Sequence, residues 1–139
     1  MEYKVQNGML VGKLEHEEDL FDQLKKIYEE VDSKGILILS GIGMLDNFEL
    51  GYYQFEKGSY EFKKYDNPME LVSMKGSITS DGSIHIHAAL AGDDHVLRGG
   101  HLKGGNVFNV LELGMFVYKD VEMAREYDEK VDADLLSVK

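Results

Sequence analysis

The sequence predicts an α/β protein of the α+β type, with one long helix packed on a mainly antiparallel, mixed sheet, in a single domain over residues 1–139. Three observations predict it. One segment carries apolar residues at helical spacing, most of the rest reads as strands between turn signals, and 139 residues suit one compact core.

The helix is predicted over Glu17–Val31, where Leu20, Phe21, Leu24, Ile27, Tyr28 and Val31 recur on one face. Glu17, Glu18 and Asp19 fall in its first turn, where carboxylates favour the positive end of the helix dipole, and Lys34-Gly35 closes it. Ile36–Leu39 reads as a buried strand that ends in a tight turn at Ser40-Gly41-Ile42-Gly43. That Gly-Ile-Gly lacks the third glycine of a dinucleotide loop and the lysine of a triphosphate loop. The other predicted strands are Glu2–Leu14, Phe48–Glu56, Tyr60–Tyr65, Met69–Thr79, Ser83–Ala91, His95–Leu102, Val107–Tyr118 and a piece near Val121–Tyr127. Between them lie Lys57-Gly58-Ser59, Asp66-Asn67-Pro68, Ser80-Asp81-Gly82, Gly92-Asp93-Asp94 and Lys103-Gly104-Gly105, all turn signals.

Composition excludes several functions. There is no cysteine, so a disulfide scaffold, a thiolate metal site and a cysteine nucleophile are all ruled out. Met1-Glu2-Tyr3-Lys4 is not a basic leader before an apolar stretch, and no segment approaches the roughly 18 apolar residues that span a bilayer. A cytoplasmic protein with no membrane partner is expected. Of 15 lysines and arginines only Arg98 and Arg125 are arginine, against 26 acids, and the net charge is −11. That balance argues against direct nucleic-acid binding, which draws on cations that neutralise phosphates.

The candidate site is His85, His87 and His101. His85 and His87 sit two apart on a strand and so project from one face, with Cα atoms about 6.6–6.8 Å apart. A three-residue loop at Gly92-Asp93-Asp94 would pair Ala91 with His95 and put His101 directly across from His85. Asp94 would then take a left-handed conformation. A two-residue loop would turn His101 to the other face. Three neutral imidazoles form a familiar catalytic-type zinc set, with a fourth position for water, substrate or a side chain; nickel, copper and iron also accept imidazole. The bland alternative for an H-x-H pair is two hydrogen-bonded histidines. His16 and His95 read as solvated surface residues. Glu112, alternating onto the face of Phe108, Val110 and Phe116, is a candidate acid/base or a partner that orients a ligand histidine. Its alternative is a carboxylate bonded to backbone or at a subunit contact. Tyr52, Tyr53, Tyr60 and Tyr65 are half-buried sheet residues before they are base-stacking platforms.

Several segments together resemble the PPC (plants and prokaryotes conserved) domain in its short bacterial and archaeal form. They are Leu39-Ser40-Gly41-Ile42-Gly43, Met69–Ile78, His85-Ile86-His87-Ala88-Ala89-Leu90, Gly99-Gly100-His101-Leu102, the strand around Glu112, and Arg125-Glu126-Tyr127-Asp128. The resemblance implies a trimer-forming α+β fold and a DNA-binding, regulatory or interaction role, with a small ligand at the metal in prospect. The AT-hook of plant members is missing, and their Gly-Arg-Phe-Glu segment is matched here by Asn67-Pro68-Met69-Glu70. In ligand pattern the chain is also similar to α-acetolactate decarboxylase, which implies the alternative of a zinc-dependent lyase or hydrolase.

Overall fold

The computed structural model describes all 139 residues, Met1–Lys139. The segment expected as one strand over Glu2–Leu14 is a hairpin, β1 (Glu2–Gln6) and β2 (Met9–Glu15). Asn7 and Gly8 both have positive φ, 52° and 82°, as a two-residue hairpin turn of the favoured twist requires. The helix α1 (Leu20–Glu30) starts later than expected, because Asp19 is its cap and not part of its first turn. The Asp19 carboxylate accepts the Asp22 N–H at 2.9 Å, which satisfies one of the helix's free donors.

β3 (Gly35–Asp46) runs straight through the expected turn. Ser40-Gly41-Ile42-Gly43 continues the strand, with register shifts between Ile38 and Ser40 and between Gly43 and Leu45. The glycine at 43 answers to a close approach: its φ is +147°, and a Cβ there would lie 2.1 Å from the Val110 carbonyl oxygen. β4 (Phe48–Gln54), β5 (Ser59–Tyr65), β6 (Met69–Thr79), β7 (Ile84–Ala91), β8 (Leu97–Lys103) and β9 (Asn106–Tyr118) complete the main sheet. Its order is β1-β2-β9-β3-β6-β7-β8-β4-β5. Every pairing is antiparallel, so the sheet holds no parallel pair.

The last segment forms a second sheet of two strands, β10 (Met123–Asp128) and β11 (Ala133–Val138). The result is an α+β domain with α1 packed on one face of the main sheet. Leu20, Leu24 and Ile27 of α1 are fully buried in a core with Ile36, Ile78, Ile86 and Leu111. The opposite sheet face carries the histidines. No helix is long and apolar enough to cross a membrane.

Candidate metal centre

Alternation along β7 buries Ile86 and Ala88 in the core and so turns His85 and His87 to the outer face. On β8 the buried residue is Leu102, which puts His101 on that same face. The pairing differs from the expected one. Ala91 pairs with Leu97, five residues connect the strands, and His101 lies across from His87 instead of His85. The register moves by two residues, which preserves the face; a shift of one would have dispersed the cluster. The left-handed residue is His95, at φ 58°. Asp94 closes the loop instead, accepting the Val96 N–H at 3.0 Å and a bond from Arg98 Nη2 at 2.6 Å.

Ring centroids of His85 lie 5.0 Å from those of both His87 and His101, and one ring nitrogen from each residue falls within 4.8 Å of the others. Burial, reinforced by Arg125 and the two other imidazoles, lowers the His85 pKa to about 4. Burial and then His87 also lower that of His101. Both rings are therefore neutral at pH 7, the form that offers a lone pair to a cation. Nδ1 of His101 is buried with no hydrogen-bond partner. An orphaned nitrogen of this kind is costly, and a metal ion is one partner that would satisfy it.

Arg125, reaching over from β10, donates through Nη2 to Ser77 Oγ at 3.0 Å and contacts His85 Nδ1 at 3.2 Å. A guanidinium only donates, so Nδ1 accepts and Nε2 carries the His85 proton. His85 can ligate a metal only when this contact gives way. On the other flank, Tyr60 and Phe62 of β5 lie 4.9 and 6.2 Å from the His101 ring, centroid to centroid. They lean over Gly51 of β4, where a Cβ would sit 2.7 Å from Phe62 and 3.0 Å from Tyr60.

The fold does not bring Glu112 to the histidines. It is exposed on β9, and β3 and β6 intervene before β7, a separation of ~14 Å at the usual strand spacing. Glu112 instead borders a hollow of about 760 Å³ with Tyr3, Lys13 and Glu30. His16 and His95 are exposed and apart from the cluster; His16 Nδ1 accepts the Asn109 N–H at 3.0 Å. None of the four principal surface hollows is lined by His85, His87 or His101. Ser77, Arg125 and Phe62 join the site with no expectation attached to them, and Tyr60, expected as a half-buried sheet residue, joins it against His101. The one signal available for Arg125 was its rarity, as one of two arginines.

The family model of the Plants and Prokaryotes Conserved (PCC) domain, also written PPC, matches residues 1–118. The chain belongs to that family. The PCC match stops short of β10, so Arg125 enters the centre from outside the matched segment. A metal-containing protein from Archaeoglobus fulgidus is 29% identical with a TM-score of 0.81, over 98% of this chain and 96% of that one. A plant- and prokaryote-conserved protein from Pyrococcus horikoshii is 26% identical with a TM-score of 0.81, over 99% and 96%. A protein from Ralstonia eutropha JMP134, provisionally described as DNA-binding, is 26% identical with a TM-score of 0.86, over 97% and 94%. No curated protein matches the sequence.

Proposed function

We propose that this PCC-domain protein binds a divalent metal, with zinc the first candidate, through His85, His87 and His101, and works in the cytoplasm as a homotrimeric regulatory or interaction module. The observation that carries the reading is the convergence of three imidazole nitrogens within 4.8 Å. The neutral state of His85 and His101, the orphaned His101 nitrogen and the metal-containing relative from Archaeoglobus fulgidus support it. Zinc on three imidazoles keeps a fourth position open and acts there as a Lewis acid. We take the whole chain, 1–139, as the domain. Supporting this, the Met123 side chain is buried and its backbone bonds to Ser80 and Lys34 tie β10 to the main sheet.

The Ralstonia relative brings the DNA-binding role into consideration. With a net charge of −11 and two arginines, this chain would associate with DNA through a partner. A second reading, a zinc-dependent lyase or hydrolase acting on a small molecule, is favoured by Arg125 at the edge of the histidine cluster. In that reading Glu112 serves as acid/base only if a neighbouring subunit carries its own copy to the centre.

Elemental analysis of the purified, untagged protein tests the primary reading. About one equivalent of metal per chain is expected, lost when His85, His87 and His101 are all replaced by alanine. Unchanged stoichiometry in that variant would sink it.

A further inference from the structure

We propose that Arg125 is an anion-recognition residue and that the centre takes a small carboxylate with a flat apolar body. The acid group would sit on the guanidinium and the body against Tyr60 and Phe62. The inference deepens the metal-centre reading and rests on it for the site's location.

The argument begins with what Arg125 lacks. The chain has 26 carboxylate side chains, and its other arginine, Arg98, holds Asp94 through both terminal nitrogens. Arg125 forms no ion pair with any of them. Its two side-chain partners are the neutral Ser77 Oγ and His85 Nδ1, and both are met by Nη2. Nη1 and Nε keep donors to offer. A half-buried guanidinium without a counter-charge is poorly compensated, and its planar fork matches a carboxylate. Lys75, paired across from His87, adds a second cation on this side; its Nζ is held at 2.9 Å by the Leu39 carbonyl.

The opposite flank selects the rest of the ligand. Tyr60 and Phe62 are both more than one-third exposed and lean onto His101 across Gly51. From Arg125 Nη2 to His85 is 3.2 Å, from the His85 ring to that of His101 5.0 Å, and on to the Tyr60 ring 4.9 Å. These steps set only an upper limit on the distance between the two flanks, and benzoate is the simplest acid that offers a carboxylate to one and a flat ring to the other. A metal on His85 would release Nη2 and leave the whole guanidinium to the acid, so the carboxylate and a metal should each strengthen the other's binding.

The test is calorimetric titration of benzoate, with benzyl alcohol as the uncharged control, into metal-free and zinc-loaded full-length protein. Benzoate should bind and benzyl alcohol should not. Arg125→Gln should weaken benzoate at least tenfold while leaving zinc stoichiometry intact. Arg125→Lys, which keeps the charge without the fork, should fall between. Wild-type protein that ignores benzoate, equal binding by Arg125→Gln, or benzyl alcohol binding as well as benzoate overturns the proposal. Protein that takes up no zinc yet binds benzoate through Arg125 removes the metal reading and leaves the anion site standing.

Discussion

His85 turns burial into a pH dependence. Its pKa is held at about 4 in the fold against an ordinary 6.5, so as pH falls the unfolded chain takes up this proton first. Stability is then complete above about pH 6.5, declines as pH drops towards 4, and loses nothing more from this group below that. His101, lowered for the same leading reason, acts in the same direction. Because the ring is partly open to solvent, the effect is discounted to the order of 1–2 kcal/mol. Urea unfolding of metal-free protein should show a lower midpoint at pH 5 than at pH 7.5, and His85→Gln should narrow the gap. Equal midpoints in the wild type would mean that burial is not felt by the ring.

At the scale of elements, α1 is held by its buried stripe more than by its cap. Leu20, Leu24 and Ile27 are fully buried, whereas the Asp19 cap bond is exposed. Leu24→Ala should cost ~2–5 kcal/mol and Asp19→Ala ~1 kcal/mol, compared by urea midpoints. The reverse order would show that the cap governs the helix. Apolar spacing was enough to find α1, and alternation gave β6 residue for residue. Where residues serve partners distant in sequence, local pattern failed. Gly41 and Gly43 look like turn residues, yet they clear space for Met74 and for the Val110 carbonyl, which only the assembled sheet reveals. Asn7-Gly8, by contrast, is a local hairpin signal in its own right, so the division of Glu2–Leu14 into β1 and β2 is legible in the sequence. β11 has no one-sided pattern to read, since both Leu135 and Leu136 are exposed. In the site, alternation put His85 and His87 on one face. The length of the β7–β8 loop, which Gly-Asp-Asp does not determine, decided which of them meets His101. Arg125 was illegible as a site residue because it arrives from a second sheet.

Across the whole molecule, the sheet face away from α1 is left with an apolar surface. Met9 and Val11 on β2, Leu39 and Ile42 on β3 and Val72 on β6 are 40–68% exposed. These strands are neighbours around β9, so the side chains form one patch instead of scattered singles, as expected of a surface that meets another chain. A second copy is the partner that the trimer reading supplies, and its apolar contact must outweigh the repulsion of chains each carrying −11. Ile42→Asp would place a charge in the patch without touching the core, since Ile42 is 48% exposed. Sedimentation should show the wild type as a trimer and this variant as monomers, with an unchanged circular dichroism spectrum. A variant that stays trimeric removes this face as the interface. The metal content of the resulting monomer decides a further point. β6 separates Ile42 on β3 from the histidine strands, so a centre built within one chain should keep its metal when the trimer dissociates. Loss of metal on dissociation would mean that a neighbouring copy completes the centre. It would also give Glu112, which lies directly across from Ile42 on β9, a route to the histidines that the single chain lacks.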